Sequence, residues 1–209
     1  MNEFYEINTS SYSDEKYACC EPSEDAQYIP VYPLCPKCGA RIGNGYWVEP
    51  RKVILSRSKY GDFASGITLL VSERFKEAYE ESGLKGIKRF IPVEVCKVRH
   101  IRKNPPLPPK YYSLELGYSF ARIDLEKSLI IGKHNDRYCE LCNPLSSTID
   151  KIEGLYIEDS NWGGEDIFHL HEMGCSVYVS QKFVDFCLVN EFTNFLYVNT
   201  RELKFGFFD

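Results

Sequence analysis

Four cysteines carry the most specific chemistry in this chain: Cys35 and Cys38 in LCPKCGARI and, far downstream, Cys139 and Cys142 in YCELCNPL. Two residues between thiols let a tight turn present both sulfurs to one thiophilic ion. Two such knuckles complete a tetrahedral four-thiolate zinc site. Pro36 and Gly39 suit the first turn, one by fixing φ and the other by admitting positive φ, and Pro144 closes the second. The gap between the pairs is wider than the roughly 12–20 residues common in such sites. Unmetallated thiols or a redox pair are therefore the competing readings. A zinc held by four thiolates has no open position for an activated water, so the expected ion holds the fold and does not catalyse.

Other chemistry is sparse. HLHEMG holds His169, His171 and Glu172, and on a strand the two histidines would share a face as metal ligands do. A packing or surface role is the simpler reading. No nucleophile elbow surrounds Ser72 or Ser180, and the glycines of GNG and GLKG lack the spacing of a phosphate-binding loop. An enzyme is not expected.

The elements that must position the cysteines form a repeating pattern. GITLLVSERF (66–75) aligns without gaps to GCSVYVSQKF (174–183), with identical Gly, Val, Ser and Phe. Downstream, RFIPVEV matches NFLYVNT once three intervening residues are dropped; upstream, the same alignment sets His169 opposite Gly61 and His171 opposite Phe63. ITLLV and SVYV are strand-type runs, and Ser72 and Ser180 follow as helix N-caps. Phe75, Ala78 and Tyr79 make one helical stripe and Phe183, Phe186 and Cys187 another. Gly83 stops the first helix, and Phe90, Ile91, Val93 and Val95 begin a return strand, as do Phe195, Leu196 and Val198. The expected fold is α+β: two related β-α-β-containing halves, arising by internal duplication and joined by a zinc-ribbon-like four-Cys site. Chance likeness between two amphipathic β-α-β stretches is the alternative. The corresponding segments are an acidic 1–30, a first half over 31–104, a Pro-rich linker over 105–112 and a second half over 113–209.

At 209 residues and 44% hydrophobic, the chain suffices for a substantial core. No apolar run approaches the roughly 20 residues of a membrane span. MNEFYEINTSSYSDEKY lacks a basic start and an apolar core, so no signal peptide is expected. Nine cysteines without an export signal indicate a reducing cytoplasm. Cys19 and Cys20 read as ordinary thiols near a loop, and Cys96, Cys175 and Cys187 as small core residues.

Charge is uneven. The first thirty residues hold seven carboxylates against Lys16 alone, while the whole chain carries −5. IEDSNWGGEDIF sets Glu158, Asp159, Glu165 and Asp166 around Trp162, a candidate surface for a basic partner; a solvated turn explains the same residues. KVRHIRKNPPLPPKYY is basic, and Tyr111 and Tyr112 could stack on bases. A solvated edge and linker is the preferred reading, because the negative net charge does not suit a dedicated nucleic-acid binder.

Taken together, CPKCGA, YCELCNP and LLVSERFKEAYEESGLKGIKRFIPVEV make the chain, from about Tyr32 onward, resemble the bacterial double-CXXCG motif proteins. That family has been described as immunity proteins that neutralise cognate toxins in interbacterial competition. The resemblance implies Cys35, Cys38, Cys139 and Cys142 as the paired motif. The second knuckle departs from it, with Asn143 in place of Gly; Asn tolerates left-handed φ better than most residues. The expected function is a zinc-stabilised cytoplasmic protein that binds and neutralises a protein toxin. A zinc-ribbon nucleic-acid-binding or regulatory adaptor is the alternative.

Overall fold

The computed structural model describes residues 2–9, 16–29, 34–41, 46–64, 66, 69–100, 106–132, 139, 149–173 and 176–206. Helices form where cap serines precede an apolar stripe: α1 spans Glu73–Ser82 and α2 spans Gln181–Val189. Ser72 and Ser180 keep extended backbone (φ −70° and −77°, ψ 162° in both), and each hydroxyl accepts from the N–H three residues on. Such a cap contributes about 1 kcal/mol. Left-handed residues recur after each helix: Gly83 (φ +71°) and Gly86 (φ +124°) follow α1, and Glu191 (φ +51°) and Asn194 (φ +61°) follow α2.

The chain is a mixed α+β protein, mostly sheet. A six-stranded sheet runs in the order Cys20–Pro22, Arg51–Arg57, Ile87–His100, Tyr111–Leu116, Leu70–Ser72, Phe63–Ala64. A five-stranded sheet runs Tyr118–Ser119, Ile167–Leu170, Tyr178–Ser180, Phe4–Asn8, Leu196–Asn199. Within each lies the same unit: a hairpin leads into a helix, and the return strand is separated from the hairpin by one intervening strand. In the first unit Tyr111–Leu116 intervenes, antiparallel to both neighbours. In the second, Phe4–Asn8 fills that place with the same antiparallel pairings. The segment read as an acidic N-terminal stretch thus supplies the fourth strand of the second unit.

The register corrects two details of the sequence alignment. Phe63 pairs with Val71 and Ile167 with Val179, so Ile167 occupies the place of Phe63, and the second hairpin has the longer loop. Pro92 faces Tyr112, and Asn199 faces Tyr5; the return strands therefore match two residues away from the alignment. A two-residue slip keeps every side chain on its face, which is why the apolar pattern concealed it.

Both helices close over one core. Phe75 and Phe183 are fully buried, with ring centroids 6.0 Å apart, in a cluster that joins Phe63, Val71 and Tyr79 to Ile167, Val179 and Phe192. The two units also clasp each other. The Asp62 carboxylate accepts from the Ser72 hydroxyl (2.7 Å) and, across the molecule, from the Thr193 N–H (2.9 Å) beyond α2. The Asp166 carboxylate accepts from the Ser180 hydroxyl (2.8 Å) and from the Lys85 N–H (2.9 Å) beyond α1. Removing a fully buried ring from such a core costs about 4 kcal/mol. Phe183→Ala should therefore shift the urea midpoint sharply with its unfolding slope nearly unchanged.

Several thiols and aromatics differ from expectation. Cys96 is exposed: a bulge against Arg51–Arg57 skips it in the pairing, and an extra residue turns its side chain out of the alternation. Cys19 and Cys20 are buried, at 4% and 2% exposure, while Cys187 is a core residue at 1%. Cys175 lies outside the described residues. Tyr111 is buried, and its hydroxyl donates to the Gly61 carbonyl (2.7 Å), which removes it from any stacking surface. The basic stretch is not a sheet edge: Lys97, Val98 and His100 continue the Ile87–His100 strand in parallel pairing with Arg51–Arg57, and Arg99 pairs with Glu21 at 2.6 Å. Among the described residues no helix is long and apolar enough to cross a membrane.

Candidate metal centre and partner surface

The first knuckle is built by its own backbone. Leu34 and Arg41 form an isolated antiparallel bridge. The Cys35 N–H donates to the Ala40 carbonyl (2.8 Å), and the Gly39 N–H donates to the Cys35 carbonyl (2.9 Å). Gly39 sits at φ +69°, the left-handed conformation that its lack of Cβ permits. This loop turns both of its sulfurs toward the second half of the chain.

Cys139 meets them there. Its Sγ lies 3.8 Å from that of Cys35, and the sulfurs of Cys35, Cys38 and Cys139 all lie within 4.8 Å of one another. A disulfide would require about 2.05 Å. Four thiolates at about 2.3 Å from a zinc ion stand about 3.8 Å apart along each tetrahedral edge. The donor set and spacing therefore fit a tetrahedral thiophilic ion, with Cys35 and Cys139 buried and Cys38 exposed. Cys142, the expected fourth ligand, lies outside the described residues. Three close cysteines can bind a metal, and they join segments distant in sequence.

The centre is packed onto the five-stranded sheet. Tyr118, on that sheet's edge strand, packs against Cys35 and Cys139. Its ring also meets those of His171 (centroids 5.1 Å apart) and His169 (5.5 Å). Nδ1 of His169 lies 2.7 Å from the Ser176 carbonyl, and burial depresses its imidazole pKa. Burial, then the Arg122 charge, depresses that of His171. Both rings pack on Tyr118, which in turn packs on the cysteine cluster. Beside them, Glu172 accepts from Arg122 Nη1 (3.0 Å), and burial raises its carboxyl pKa.

The acidic loop is more structural than its sequence suggested. Trp162 is half-buried, edge-on to Phe4 at 5.2 Å, and its Nε1 donates to the Glu165 carbonyl (3.0 Å). Asp166 is 5% exposed and belongs to the clasp between the units. Glu165 accepts from the Ser119 hydroxyl (3.1 Å). Asp159 accepts from the Asn2 N–H (2.9 Å) and side-chain amide (2.8 Å), and those bonds, the backbone one foremost, hold its carboxyl below the usual range. Glu158 is the loop carboxylate that stands in water. The picture of an exposed indole ringed by free carboxylates is corrected accordingly, because Trp162 and Asp166 face inward. The clasp aspartates had a local signal: each precedes the apolar start of a hairpin, as Asp62-Phe63 and Asp166-Ile167.

The sequence profile described as Immunity protein family (Imm11) matches residues 14–201. No curated protein matches the chain.

Proposed function

We infer from the Imm11 immunity protein family, to which this chain belongs, that it neutralises a cognate protein toxin by stoichiometric binding, without turnover. The family match over residues 14–201 carries this reading. A thiolate-bound zinc tying the two halves is part of the proposal, supported by the spacing of Cys35, Cys38 and Cys139 and by the second knuckle's Cys142. The double-CXXCG resemblance assigns those same four cysteines. Matching caps, left-handed turns and strand order in the two units support an internal duplication. A reducing cytoplasm, where thiols stay available to metal, is the proposed site of action.

Glu158, which is exposed, and its neighbour Asp159, which is half-buried and bonded to Asn2, remain the proposed steering charges for a basic toxin. Steering acts through long-range attraction and is screened by salt. The Glu158→Lys, Asp159→Lys double variant should bind the toxin encoded beside this gene about tenfold more slowly at low salt, with dissociation little changed. Stopped-flow association at two ionic strengths measures this. Calorimetry and co-expression test the wider reading: one-to-one binding and cell survival are expected, and failure of the wild type to bind or protect would overturn it.

A further inference from the structure

The two units place different surfaces at equivalent positions. Counting from the cap serines, the eighth and ninth residues of α1 are Glu80 and Glu81, both exposed, and Glu80 pairs with Lys76 at 2.7 Å. At the same positions α2 carries Leu188 and Val189, exposed to 53% and 82%. The return strands differ likewise. The register sets Arg89 of the first unit, ion-paired with Glu49 and Glu115, in the place that Leu196 takes in the second.

The Leu196–Asn199 strand is also an open edge. In the first unit the return strand runs on past Pro92 and pairs in parallel with Arg51–Arg57. In the second, the chain leaves the sheet at Thr200 for a 3-10 turn, and among the described residues nothing pairs with the strand's outer side. Its side chains Leu196, Tyr197 and Val198 are 47%, 37% and 38% exposed. Sheet edges are ordinarily blunted by charge, proline or shortness. The other edges of the two sheets follow that rule: Cys20–Pro22 carries Glu21 and Pro22, while Phe63–Ala64 and Tyr118–Ser119 are two residues long. Leu196–Asn199 has four residues and neither charge nor proline.

We propose that this edge is the toxin-docking surface, and that the toxin adds an extended strand with apolar side chains to Leu196–Asn199 while also meeting the apolar end of α2. An edge offers a row of backbone donors and acceptors that only another extended chain satisfies in register, which identifies the occupant as a strand. Its flanking side chains are apolar, so the complementary residues are apolar too. Pairing with a second copy is the lesser fit. A strand of four residues is about 13 Å long, and self-pairing along it buries on the order of a few hundred Å², short of the roughly 1,200 Å² of a stable interface. A toxin strand is backed by the rest of its own surface.

The inference rests on the toxin-binding reading, and the experiment separates the two. The wild type, a Leu188→Glu, Val189→Glu variant and a Leu196→Lys, Val198→Lys variant are titrated with the purified toxin encoded beside the gene. Circular dichroism and melting temperature verify folding, and amide exchange of residues 196–199 is followed in the wild-type complex. The expected result is about a 100-fold loss of affinity in each folded variant, with slowed exchange at 196–199. Variants that bind within about twofold of the wild type, with exchange at 196–199 unchanged, overturn the docking edge and leave the immunity reading standing. Sedimentation showing a wild-type dimer that the lysine variant abolishes assigns the edge to a second copy and likewise overturns it. A wild type that neither binds nor protects removes the immunity reading, and this inference with it.

Discussion

Replacing Cys139 by serine is expected to release the bound metal and lower the melting temperature by about 10 °C. Cys139 brings its sulfur to 3.8 Å from Cys35 across 104 residues of chain, so an ion held there would close a very long loop. A closed site exists only in the folded chain, and metal affinity therefore appears as folding stability. Cys35→Ser should behave the same way, since Cys35 is the buried thiol of the first knuckle. Cys96→Ser should change neither property, because Cys96 is exposed on a strand bulge. Native mass spectrometry is expected to count one zinc per wild-type chain. A metal-free wild type that melts as high as the zinc-loaded protein would sink the shared site.

The Asp62→Ala substitution should cost about 3 kcal/mol, the larger effect among single changes outside the thiols and the aromatic core. Asp62 accepts from Ser72, from Arg74 Nε and Nη2, and from both the N–H and the hydroxyl of Thr193. The alanine variant therefore loosens the α1 cap and the turn beyond α2 together. Burial pushes the Asp62 carboxyl upward, but bonds from Arg74, Thr193 and Ser72 outweigh it and hold the pKa below the ordinary value. For a depressed carboxyl, the stabilisation is present above the unfolded pKa, about pH 4, and is lost as pH falls through the folded value. Urea unfolding should thus separate wild type from variant widely at pH 7 and bring them together once the pH falls below the folded value. Equal stability at pH 7 would show that the clasp contributes nothing net.

Capping and periodicity act within a turn of helix or along one strand, so they were legible locally. Ser72 and Ser180, the buried Phe75 and Phe183, and the Gly83 stop all fall where residue type and spacing placed them. The knuckle geometry was legible for the same reason: two residues between Cys35 and Cys38 fix how far apart their sulfurs stand. The meeting of Cys139 with that pair depended on the fold, though paired motifs anticipated it. Phe4-Tyr5 followed by Ile7 echoes Tyr111-Tyr112 followed by Leu114, yet nothing in that echo says which sheet a strand enters.

Tertiary structure alone decided that Phe4–Asn8 lies between Tyr178–Ser180 and Leu196–Asn199, that Asp62 and Asp166 each hold the turn beyond the other unit's helix, and that Trp162 packs against Phe4. Each of these is a pairing across 81 residues or more, set by which surfaces remain unfilled once the local elements exist. An open strand edge is likewise invisible in sequence, because its backbone donors and acceptors are the same in every residue. By itself the sequence determined the α+β elements, their caps and the thiols fit to hold a metal. The fold determined which of its carboxylates and aromatics remain at the surface, since burial is a property of neighbours and not of residue type.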